Sequence, residues 1–161
     1  MSSKVLIWNA AYATLVAAQG SGNPLAAVTA GNIYQGVRTS IPQDSYPIII
    51  MEPDDDDETP FVQPVGIESV FRFFVSCQIL YADWEKALSG DSDSGAIGLL
   101  TFVDAVKNVL QAGVYPGLNP LGLSFVRKLW FPKTTFFFEA FPIREAKITV
   151  AVTNLITAQG H

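Results

Sequence analysis

Ser69-Val70-Phe71-Arg72-Phe73-Phe74-Val75-Ser76-Cys77-Gln78-Ile79-Leu80-Tyr81 decides the fold. Successive side chains on a β-strand point to opposite faces. Phe71, Phe73, Val75, Cys77, Ile79 and Tyr81 therefore share one face, and Val70, Arg72, Phe74, Ser76, Gln78 and Leu80 share the other. The first set demands a core. Burying six such side chains is worth on the order of 9–18 kcal/mol, an upper bound before chain entropy is subtracted. The second set is mixed, as expected of a face that is partly solvated or met by a partner.

Working outward, 32–38 alternates as a short strand, with Ile33, Gln35 and Val37 opposed to Tyr34 and Arg38. Tyr46 to Met51 is a second strand, and its β-branched run predicts burial on both faces. Lys4 to Gln19 reads as a helix capped by Ser2 or Ser3 and stopped by Gly20. Val5, Trp8, Tyr12 and Leu15 form one stripe of it, yet Leu6, Ile7, Ala10, Ala11 and Ala17 make nearly every side apolar. Such a helix needs cover on more than one side. A second helix spans roughly Ala96 to Ala112, with Leu99, Val103, Val106 and Leu110 at helical spacing and Phe102 and Val109 widening the stripe. Three strand-like runs follow: Leu123 to Phe131, Thr134 to Phe141 and Lys147 to Ile156. This order predicts an α+β two-layer sandwich, with a mixed, mostly antiparallel sheet and two helices packed on one face. The expected organisation is one domain over 1–161, with loops at about 20–31, 53–66 and 113–122.

Of the 161 residues, 49% are apolar and only 16% charged, against about 25% charged in ordinary soluble domains. Disorder is excluded. No stretch approaches the roughly 18 uninterrupted apolar residues of a membrane span. The surplus of apolar surface points to self-association. The formal charge is −5, and the ten basic residues form no run, so a nucleic-acid groove reader is not expected. The start of the chain has one positive charge before its apolar run and a poor cleavage site at Ala17-Ala18-Gln19, so secretion is not expected.

The usual chemistries find no support. The single histidine, His161, is the last residue, so a Ser-His-Asp or Cys-His arrangement lacks its base. Cys77, mid-strand on an apolar face, reads as a buried structural thiol. Zinc spacing is missing, and Gly20-Ser21-Gly22 follows a helix where a dinucleotide loop follows a strand. Asp91 and Asp93 begin like a calcium loop but have no closing glutamate, so Asp93 or Ser94 is read as a cap for the second helix. No cofactor, metal or catalytic residue is expected. Two features remain. Asp54, Asp55, Asp56, Asp57 and Glu58 form an acidic run, a solvated loop or a fringe facing a partner or pore. Trp130-Phe131 and Phe136-Phe137-Phe138 place aromatics on both sides of strands. Trp8, Tyr12, Trp130 and Phe137 are the candidate subunit contacts.

This order of elements, with a long apolar strand at 71–81, a helix at 99–110 and a terminal Lys147-Ile148-Thr149-Val150-Ala151-Val152 strand, resembles the tail-terminator (tail-completion) proteins of long-tailed bacteriophages; small neck and head–tail joining proteins are similar in outline. The resemblance implies a virion protein of the tail or neck, assembled in the host cytoplasm without a membrane step. Such proteins form rings, usually hexameric, that cap the tail tube protein and meet the head–tail connector protein. DNA passes through the ring without specific binding. Asp54 to Glu58 would then line the lumen. The second reading, from the residues alone, is a small soluble ligand-binding domain with an apolar pocket walled by Phe71, Phe73 and Tyr81.

Overall fold

The computed structural model describes residues 2–36, 38, 40–54, 57–60, 66–111, 120–137 and 142–157. The helices are α1 (Ser3–Ala17), α2 (Trp84–Ser89) and α3 (Leu99–Gln111); the strands are β1 (Ile33–Gln35), β2 (Ile48–Pro53), β3 (Asp57–Pro60), β4 (Gly66–Leu80), β5 (Val126–Phe137) and β6 (Ile143–Thr157). They form one mixed sheet in the order β1-β2-β4-β6-β5, with β3 also paired to β4. Among the described residues only β1–β2 is parallel. The α+β sandwich read from the sequence is the architecture observed.

β4 and β6 are the spine. They pair over their full length, from Gly66↔Thr157 to Leu80↔Ile143. The alternation of 71–79 holds: Phe71, Phe73, Val75, Cys77 and Ile79 are buried with Ala146, Ile148, Val150 and Val152 of β6 under the helices. α3 contributes the whole expected stripe, Leu99, Phe102, Val103, Val106, Val109 and Leu110. β2 lies between β1 and β4, and Ile48, Ile49, Ile50 and Met51 are all buried, as expected of a strand covered on both faces.

Four expectations need correction. In α1 the fully buried stripe is Ile7, Ala11 and Leu15, while Val5, Leu6 and Val16 are exposed. An i, i+4, i+8 row faces the sheet, and a helix apolar all round gave no pattern with which to choose it. The two strands expected at 123–131 and 134–141 are one, β5, because a bulge between Trp130 and Lys133 absorbs Pro132. Proline is tolerated there since β5 is an edge strand. The loop expected at 53–66 contains β3, whose Asp57 and Glu58 pair with Val70 and Ser69. Finally, Asp93 and Ser94 do not cap α3: they lie in a turn closed by the Asp91–Ala96 bridge, ahead of the helix start at Leu99. Ser2 does cap α1, its hydroxyl accepting from the Lys4 N–H at 3.2 Å.

α2, too short for its period to be read, is fixed from two sides. The Asp83 carboxylate caps it, accepting from the Lys86 N–H at 3.3 Å. Arg144 of β6 donates to the carbonyls of Tyr81 and Ala82, and its guanidinium lies 4.9 Å from the centre of the Trp84 ring.

Candidate assembly surfaces

The two layers of the sandwich present different surfaces. On the helical side, Val5, Leu6, Asn9, Ala13, Val16 and Ala17 of α1 are exposed. At 100° per residue they fall on one side of the helix, opposite Ile7, Ala11 and Leu15. Asn9 is the one strongly polar group in that set. Water gains nothing from covering such a stripe, and it is the kind of surface that marks an interaction site.

On the other side no helix lies among the described residues, and the register defines which side chains point that way, Ser76 and Ala151 being fully buried among them. Phe74, Ser76 and Gln78 of β4 stand beside Thr149, Lys147 and Glu145 of β6. Lys133, Thr135 and Phe137 of β5 stand beside the same three β6 residues, and Trp130 stands beside Ala151. Polar groups are locked together here. Glu145 accepts hydrogen bonds from the Ser76 hydroxyl and the Gln78 amide, each at 2.5 Å, and Lys147 pairs with Glu52 at 3.5 Å. Cations sit on rings: Lys128 over Trp130 at 5.0 Å, Lys147 over Phe74 at 5.2 Å and over Phe137 at 5.7 Å, Arg38 over Tyr34 at 5.0 Å. Burial and the charges of Tyr34 and Glu145 push the nearby Tyr46 phenol above its ordinary range.

The residues singled out in the sequence divide between these surfaces. Phe137 is 41% exposed on the helix-free face. Its neighbour Phe136 turns toward the helices and packs against the core, the split that strand alternation requires. Trp130 is half-buried under Lys128. Trp8 and Tyr12 lie on the core side of α1, half-buried, with Trp8 set against Phe73. Asp54 donates its backbone N–H to the Arg72 carbonyl at 3.1 Å; Asp57 and Glu58 open β3, and Asp55 and Asp56 lie outside the described residues. The sequence foresaw a first helix with a second apolar side to cover, but not that Val5, Leu6 and Val16 form it, and the lysine-capped rings escaped sequence reasoning. The alternation of β5 carried a signal for the latter, masked by its bulges.

The chemistry of single groups is structural. Burial pushes the Cys77 thiol far above its ordinary range, so it is held protonated. The Tyr81 hydroxyl donates to the Asp91 carboxylate. That bond holds the phenol above its usual range and the carboxyl below its own. Among the described residues no group of three or more His, Cys, Asp or Glu could hold a metal. A cleft of about 440 Å³ opens at one end of the sheet between Tyr46, Pro47, Ile79, Tyr81 and Ile97. Phe71 and Phe73, expected as pocket walls, are core residues; of the three only Tyr81 reaches the cleft. Among the described residues no helix is long and apolar enough to cross a membrane.

The chain is thus an α+β sandwich with exposed apolar groups on both layers. No protein-family model and no curated protein matches its sequence. Among solved structures it is similar to a chain from the virion of a native gene transfer agent particle, with a TM-score of 0.61 and 18% identity, covering 97% of this chain and 100% of that one. At that identity the two share a fold.

Proposed function

We propose that this chain is a structural protein of a phage-like virion, placed in the tail or neck, where copies of it form a homo-oligomeric ring. The observation that carries the reading is the end-to-end likeness of fold to a chain of the gene transfer agent virion. Exposed apolar residues on opposite layers support it. Leu6 on one layer and Phe137 on the other cannot both be covered by one two-fold patch. They suit a head-to-tail contact in which different surfaces meet, and such a contact closes into a ring when its rotation allows. On this reading the ring is hexameric, caps the tail tube and meets the head connector, and DNA passes through it without specific binding. Binding surfaces do the work, and no bond is made or broken.

Light scattering across a concentration series, with negative-stain images of the same fractions, tests this. A discrete mass matching a small ring, with annular particles, is the expected result. A monomer at every concentration, also when mixed with purified tail tubes, would overturn the ring.

A further inference from the structure

Along β5 the helix-free sheet face carries Lys128 and Lys133, in register with Thr153 and Thr149 of β6. Glu52 is taken by Lys147, and Glu145 by Ser76 and Gln78. Lys128 and Lys133 of β5 are both exposed on this face, and neither takes part in an ion pair among the described residues. The chain as a whole has charge −5, with 15 acidic residues. Two of them, Glu85 on α2 and Asp93 in the following turn, are exposed with side chains that make no described hydrogen bond.

The rings decide what kind of partner fits. A single-stranded nucleic acid needs open aromatic faces on which its bases stack. Here the faces of Trp130, Phe74 and Phe137 are met by the chain's own ammonium groups at 5.0–5.7 Å. An ammonium held on a ring keeps further N–H donors for a carboxylate. The face is therefore built for an acidic protein surface. The exposed Phe137 beside it supplies an apolar centre.

We propose that the helix-free face of one copy seats α2 and the following turn of a second copy, with Lys128 and Lys133 receiving the carboxylates of Glu85 and Asp93 and Phe137 buried at the edge of the same contact. The inference rests on the ring reading and specifies its contact. Donor and acceptor surfaces are different, so the contact is head-to-tail.

Charge reversal tests it by sedimentation or light scattering. Lys128→Glu with Lys133→Glu should weaken self-association by roughly tenfold or more at low salt, and Glu85→Lys with Asp93→Lys should do the same. Both double variants keep the fold, because all four side chains are exposed; circular dichroism checks this. Mixing the two double variants should restore assembly, since each then offers the surface that the other needs. Undiminished assembly of both variants, or failure of the mixture to recover, overturns this contact and leaves the ring intact. Wild-type protein that never self-associates overturns the ring and the contact together. Loss of binding to a DNA oligonucleotide in the lysine variant, with self-association unchanged, would assign the face to nucleic acid instead.

Discussion

Trp8 meets Phe73 edge-on, with ring centroids 5.8 Å apart and planes at 77°. This contact ties the N-terminal helix to the middle of the sheet. Edge-to-face pairs add about 0.5–1.5 kcal/mol to the area they bury. Trp8→Ala should cost about 2–4 kcal/mol, somewhat below the range for a fully enclosed tryptophan. Urea unfolding followed by circular dichroism measures it. A loss well under 1 kcal/mol would return Trp8 to the list of contacts between copies.

Phe137→Asp separates folding from assembly. Its ring is 41% exposed, so the substitution should change stability by no more than about 1 kcal/mol. If copies meet through the proposed contact, self-association should fall sharply, since a charge replaces its apolar centre. Insoluble or unfolded protein would place Phe137 in the core.

Cys77 gives the chain a pH dependence. Its thiol is held protonated by burial, whereas in the unfolded chain a thiol ionises near pH ~8.5. Above that pH the unfolded state binds fewer protons than the folded one. Stability contributed by Cys77 is thus complete below about pH 8.5 and declines above it, with a limiting slope of about 1.4 kcal/mol per pH unit. Urea midpoints between pH 8 and 9.5, below the range of unfolded tyrosines, should drift down in the wild type and stay flatter in Cys77→Ala. Iodoacetamide should label Cys77 only on unfolding.

Gly98 holds α2 and α3 together. A Cβ at that position would lie 2.5 Å from the backbone nitrogen of Gly90 and 2.5 Å from the carbonyl carbon of Ser89. Backbone cannot yield as a flexible side chain can. Gly98→Ala should therefore destabilise the protein by about 2 kcal/mol or more, seen as a lowered thermal midpoint. Gly95→Ala tests a different cause: open space surrounds Gly95, and its φ of 72° alone carries the penalty.

Much of the fold was legible because two segments obey one period each. Phe71, Phe73, Val75, Cys77 and Ile79 repeat at every second position and are all buried, and the α3 stripe repeats at helical spacing. The remainder was hidden for identifiable reasons. α1 is apolar on every side, so Ile7 and Val5 looked alike although one is enclosed and the other exposed. Pro132 looked like a break between strands, yet an edge strand needs no N–H there and a bulge restores the register. β3 begins at the end of an acidic run whose charges read as loop. For the surfaces, alternation was enough to part Phe136 from Phe137. Lysines lying on rings were not legible, because Lys147 reaches Phe74 and Phe137 from a strand between theirs.

The central pair of strands also sets an order of events during synthesis. Phe71 of β4 lies opposite Val152 of β6, so the partner of this long apolar strand leaves the ribosome long after it. Until then the nascent chain has a greasy ribbon and an unpaired edge, the state in which chains misassociate. β6 closes that edge. It also carries Lys147 and Glu145, which fix the helix-free face. The helix-free face is therefore finished by the same strand that completes the sheet, and a chain cut short before β6 has no such face.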